Sequence, residues 1–174
     1  MIKKNLSSAL LLSLSISAHV HAGEQMDKIL SRVEGTYELI EWDDAGKKYL
    51  PPTVSARYVI RDGAITWVSY KNSDGKQVNN ALHGSYKLTE TSFSYGYSNW
   101  LEVTTEGSDT KVSREFKPDM ASMNLPNMRT LTISVEGNVV RASAGNNIFE
   151  FRDDGFDQTN KSSGFTRKYR RVVK

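Results

Sequence analysis

The sequence predicts an all-β fold: an antiparallel up-and-down barrel of about eight to ten strands with one short helix at its N-terminal side. Three observations predict it. From Thr36 onward, short runs rich in Val, Ile, Thr, Tyr and Phe alternate apolar with polar residues at a period of two. Tight-turn pairs such as Asp62-Gly63 and Asp74-Gly75 separate the runs. Helical spacing is found in one short stretch ahead of them.

The chain opens with Lys3 and Lys4, an apolar run from Ala9 to Ala18, and Val20-His21-Ala22, which puts small residues where a signal peptidase reads. Residues 1–22 are therefore expected to be a cleaved leader, and residues 23–174 the barrel domain of a periplasmic or secreted protein. Ser13, Ser15 and Ser17 interrupt the run, which falls short of the ~20 apolar residues of a span, so no transmembrane segment is expected once the leader is gone.

From Glu24 to Val33, Met26, Ile29, Leu30 and Val33 recur every three or four residues before Gly35 stops the pattern, which predicts an amphipathic helix. The strands read from alternation are Thr36 to Trp42, Ala56 to Arg61, Ile65 to Lys71, Ser85 to Thr89, Phe93 to Thr104, Lys111 to Phe116, Thr130 to Val135, Val139 to Ser143, Ile148 to Arg152 and Phe165 to Val172. Turns at Asp62-Gly63, Asp74-Gly75, Glu136-Gly137-Asn138 and Asp153-Asp154-Gly155 imply antiparallel pairing in chain order. Closing such a meander into a barrel removes its exposed edges. Two longer connections, Asp43 to Ser55 and Lys117 to Met128, are read as loops capping an end of the barrel.

Charge and residue usage narrow the chemistry. The formal net charge is +3, and the leader would carry two of the lysines away, so the strong positive field of a general nucleic-acid binder is missing. There is no cysteine, hence no disulfide framework and no thiol nucleophile. Beyond the leader, His83 is the sole histidine, so zinc chemistry is not expected, and no Gly-x-Ser-x-Gly elbow accompanies any serine. Met120, Met123 and Met128 offer thioethers that could suit Cu(I), but apolar covering of a barrel mouth explains them better. Asp153, Asp154 and Asp157 lack the ligand spacing of a calcium loop. No cofactor is expected.

A short helix, then Gly35-Thr36-Tyr37-Glu38-Leu39-Ile40, then a meander ending in Phe165-Thr166-Arg167-Lys168-Tyr169 resembles the lipocalin and fatty-acid-binding-protein superfamily, the calycins. Lipocalins open strand one with Gly-x-Trp and cover that Trp with an Arg of the last strand, which plugs the closed end; Tyr37 stands at the Trp position. The fatty-acid carriers carry Arg-x-Tyr on their last strand, facing a ligand carboxylate, and Arg167 and Tyr169 match that pair. The resemblance implies a lipocalin-like barrel holding a small hydrophobic or amphipathic molecule. Unlike the carriers, this chain is expected to carry a leader, and it has a polar Pro51-Pro52 loop after strand one.

Alternation assigns a lumen independently of any family. Phe93, Tyr95 and Tyr97 share one face of their strand, and Leu131, Ile133 and Val135 share one face of theirs. Val112, Arg114 and Phe116 share a face, as do Phe165, Arg167 and Tyr169, so two guanidinium groups are expected in one cavity. Such cations need a carboxylate, Glu150 or Glu41, or an anionic ligand. The expected ligand site is lined by Tyr58, Ile60, Phe93, Tyr95, Tyr97 and Leu131, with Arg114, Arg167 and Tyr169 gripping an acidic group. Two other classes remain open: an isomerase or cyclase using Tyr95, Tyr97 or His83 as acid or base, and an interaction module with a filled barrel presenting Trp100 and the methionine loop.

Overall fold

Aspartate and glycine at adjacent positive-φ positions turn the chain where two-residue hairpins need them: φ is 52° and 78° at Asp62-Gly63, and 56° and 79° at Asp74-Gly75. The computed structural model describes residues 23–116 and 128–173. In it, residues 23–33 form helix α1, followed by β1 (Gly35–Asp44), β2 (Lys47–Tyr49), β3 (Val54–Arg61), β4 (Ala64–Ser73), β5 (Lys76–Leu88) and β6 (Ser92–Glu106). After β7 (Asp109–Phe116) come β8 (Arg129–Glu136), β9 (Val139–Ala144), β10 (Asn147–Phe151), β11 (Gly155–Asn160) and β12 (Phe165–Val173).

Ten of these strands close into one antiparallel barrel in the order β1, β3, β4, β5, β6, β8, β9, β10, β11, β12, with β12 returning to β1. β2 pairs with β1, and β7 with β6, outside the ring. The expected all-β barrel with a short N-terminal helix is thus the observed architecture, and it is compatible with a lipocalin-like fold. Two strands escaped the alternation reading. Ala45-Gly46, with φ of 53° and 92°, folds β2 back onto β1 inside the stretch read as loop. β11 has one apolar side chain, Phe156, ahead of Asp157, Gln158, Thr159 and Asn160, so its sequence has no alternation to detect. The leader read at residues 1–22 and all but the last residue of the loop read from Lys117 to Met128 lie outside the described residues.

One end of the barrel is plugged. Ile29 and Val33 of α1 are fully buried against it. Tyr37, also fully buried, donates its hydroxyl hydrogen bond toward the Arg32 and Val33 carbonyls at 2.8 and 3.0 Å. Arg171 of β12 lies over the Tyr37 ring at 4.9 Å and donates to the Glu34 carbonyl (2.6 Å), the Arg32 carbonyl and the Tyr37 hydroxyl (2.7 Å). A last-strand arginine therefore covers the strand-one aromatic residue, as the resemblance implies, and Arg171 fills that role.

Above the plug an aromatic stack fills the lower lumen. Phe156 lies 4.5 Å from Tyr169 with rings inclined by 15°, 4.9 Å from Tyr37 and 5.1 Å from Phe151, while Phe93 stacks on Tyr95 at 5.3 Å. Each such ring buries enough apolar surface to stabilise the fold by about 1.5–3 kcal/mol. Aromatic rings thus occupy the lower half of the lumen, and a cavity lies toward the opposite end.

Two bulges reset which residues face in. Leu39 pairs with Tyr169 and Glu41 with Lys168, so Ile40 is the extra residue of β1; beyond it Glu41 points out and Trp42 points in, opposite Arg167. Ser98 is the extra residue of β6 between the Gly84–Tyr97 and His83–Asn99 pairs, after which Trp100 faces the lumen beside Leu82. Alternation read straight through either strand puts the wrong face inside.

Candidate functional site

The open end holds a cavity of about 640 Å³. Its lining comes from β3 (Tyr58), β4 (Trp67), β5 (Leu82), β6 (Tyr95, Tyr97, Trp100), β8 (Arg129), β11 (Gln158) and β12 (Phe165, Arg167), with Met128 at the lip. Of the expected site residues, Tyr58, Tyr95, Tyr97 and Arg167 line it. Ile60, Phe93, Leu131 and Tyr169 lie two residues further along the same strands toward the plug, buried in the core beneath it. The cavity sits one side-chain layer above these four of the nine expected residues.

Arg114 does not enter the lumen. It pairs with Leu101 of β6, one step from the inward Trp100, and is exposed; its neighbour on the same face, Val112, is 59% exposed. The apolar alternation of β7 faces outward because β7 lies off the ring and the Ser98 bulge has already exchanged the faces of its partner strand. A second guanidinium does line the cavity, and it is Arg129. Arg129 pairs with Tyr95 and lies two residues before the buried Leu131, so continuing the Leu131, Ile133, Val135 alternation backward by one step finds it.

Three aligned residues on β1, β12 and β11 form one wall. Trp42 and Gln158 are the cross-strand partners of Arg167 on either side. The guanidinium lies 3.8 Å from the Trp42 ring centre, 5.2 Å from Trp67 and 4.6 Å from Phe165, a setting of π faces that holds a cation without neutralising it. Trp42 Nε1, Arg167 Nε and Gln158 Oε1 are all buried and lack a hydrogen-bond partner among the described residues. Neither carboxylate expected to pair with Arg167 does so: Glu41 bonds Lys168 at 2.9 Å and Lys48 at 3.4 Å, and Glu150 bonds Arg152 at 3.2 Å and lies 3.6 Å from Arg141. The lysines hold the Glu41 carboxyl below its usual range, so it remains an anion committed outside the lumen.

Phenol groups form the floor. The Tyr58 and Tyr97 hydroxyls lie 3.3 Å apart, and Trp67 Nε1 donates to the Tyr169 hydroxyl at 3.2 Å. Burial pushes Tyr58 and Tyr97 well above the ordinary phenol range and Tyr169 up to about 12, a rise that the nearby Arg167 cation opposes. Burial also raises Tyr95, against the charge of Arg129. These hydroxyls stay protonated near neutrality and present themselves as hydrogen-bond donors and acceptors, not as bases. His83, the other acid-base residue considered, bonds Thr66 Oγ1 at 2.8 Å on the outer face of β4 and β5, away from the cavity.

Trp67, Leu82, Trp100, Arg129 and Gln158 line the cavity and Trp42 backs Arg167, and alternation alone did not select these residues for the site. Trp42 and Trp100 depend on bulges, Gln158 on an undetected strand, and Leu82 on the part of β5 that precedes the strand as read from Ser85. Trp100, considered as an exposed apolar patch, is half-buried in the mouth. A second hollow of about 500 Å³ lies on the outer face, lined by Ser55, Val68, Tyr70 and the Glu38–Arg57 ion pair, and none of the expected site residues reaches it. No protein-family model, characterised protein or solved structure matches the chain.

Proposed function

We propose that this protein, exported and freed of residues 1–22, is a binding protein that holds a small amphipathic acid in the mouth of its barrel. The acid group sits at the Trp42–Arg167–Gln158 wall, and the apolar part lies over the Tyr58, Trp67 and Tyr97 side chains. The observation that carries this reading is the row of three buried polar atoms without partners, Trp42 Nε1, Arg167 Nε and Gln158 Oε1, beside a cation that no carboxylate neutralises among the described residues. Each such atom left unpaired costs about 1–3 kcal/mol. A carboxylate or similar oxyanion accepts from both N–H groups, and the Gln158 amide can turn its NH2 to it.

Trp42 and Trp67 flank Arg167, so tryptophan fluorescence reports occupancy directly. Titration with decanoate and with decanol is expected to show decanoate binding about tenfold tighter, the worth of one charge-assisted hydrogen bond at a half-buried site. Arg167→Gln is expected to abolish that preference. Equal binding of acid and alcohol, or an unchanged decanoate affinity in Arg167→Gln, overturns the proposal.

A further inference from the structure

The mouth carries a second cation that the binding reading above leaves unused. Arg129 starts β8, four strands round the ring from β12, so it stands on the wall across the cavity from Arg167. Its inward direction is fixed by register: it pairs with Tyr95 and shares a face with Leu131. Neither Arg129 nor Arg167 forms an ion pair among the described residues. Three acids near the open end are engaged elsewhere: Asp44 with Lys71 at 3.2 Å, Asp74 with Lys47 at 3.4 Å, and Glu41 with Lys168 and Lys48.

Two guanidinium groups without ion-pair partners among the described residues at one open mouth repel each other, and a single acid group relieves only one of them. Between them lie the phenol hydroxyls of Tyr95, Tyr97 and Tyr58 and the indoles of Trp67 and Trp100, a surface that mixes polar atoms with apolar rings along its length. From this arrangement we infer that the ligand is a molecule with two acidic groups, one held by Arg167 with Trp42 and Gln158, the other by Arg129 at the β8 lip. This rests on the binding site proposed above and defines its ligand class.

Calorimetric titration of the full chain with decanoate and with the straight-chain diacids from hexanedioate to dodecanedioate tests it. The best-fitting diacid is expected to bind about tenfold tighter than its monoacid, because a second charge-assisted bidentate contact is made. Arg129→Gln, at an exposed position without an ion-pair partner among the described residues, is expected to keep its melting temperature, lower the diacid to the monoacid level, and leave decanoate within about twofold of wild type. Overturning results are a series in which no diacid exceeds its monoacid, an Arg129→Gln protein that retains the diacid advantage, or one that weakens monoacid and diacid alike. Failure of the underlying site looks different: decanoate then binds no better than decanol, and Arg167→Gln changes neither.

Discussion

Replacing Arg171 by Met tests the closed-end plug, because the substitution keeps an unbranched side chain of similar reach and removes only the charged head. Arg171 donates three hydrogen bonds, to the Glu34 and Arg32 carbonyls and to the Tyr37 hydroxyl, and covers the Tyr37 ring. The two carbonyls lie at the C-terminal end of α1, where a cation is favoured by the helix dipole and by the unsatisfied last carbonyls. After truncation the Arg32 carbonyl keeps the Tyr37 hydroxyl as donor, but the Glu34 carbonyl and one lone pair of Tyr37 lose theirs. Two lost bonds from a charged donor, at about 1.5 kcal/mol each, give a destabilisation of about 3 kcal/mol. With a urea slope of about 2 kcal/mol/M, the unfolding midpoint followed by tryptophan fluorescence should fall by about 1.5 M. Arg170→Met, one residue away on the exposed outer face, should move it by no more than about 0.25 M. If both variants unfold together, Arg171 does not hold the plug and the account of the closed end is wrong.

Two further expectations concern the floor of the cavity. Tyr169 is held protonated by burial up to about 12 against an ordinary value of 10.0, and the buried Tyr58 and Tyr97 are shifted the same way. A raised folded-state value means that its stabilising contribution is complete below the unfolded value and disappears as pH rises through the folded one. Chemical denaturation at a series of pH values should therefore show stability declining between pH 10 and about 12, with a smaller decline in Tyr169→Phe; an identical profile for the two proteins refutes the assignment. Gly155 faces the β12 backbone so closely that an added Cβ would lie 1.9 Å from the Tyr169 carbonyl oxygen. Gly155→Ala should thus force β11 away from β12 and cost about 3 kcal/mol, read as a lowered melting temperature, whereas a melting point at the wild-type value would show that the strands part freely.

The extent to which the site could be read from sequence follows strand by strand. On β3, β6 and β12 the inward set was legible from alternation, and Tyr58, Tyr95, Tyr97 and Arg167 line the mouth. On β8 the reading started one residue late and missed Arg129. On β7 a regular alternation gave the wrong face for Arg114, since period two states which residues lie together but not which side is inside. On β11 no pattern existed, because a strand held between two neighbours at the polar mouth has no apolar row to display.

By itself the sequence determined the class of this protein. Period-two patterning, Asp-Gly turns and one short amphipathic stretch specify an antiparallel meander with a helix at its start, because these are local properties of backbone sterics and hydrophobic partition. Tertiary structure alone decided where the ring closes, which strands stand outside it, and how the extra residues Ile40 and Ser98 exchange inside for outside. Those choices depend on pairing between strands distant in the chain, where a single added residue reverses every side chain beyond it. They bring Trp42, Arg167 and Gln158 into one row and place Arg129 across the cavity from it.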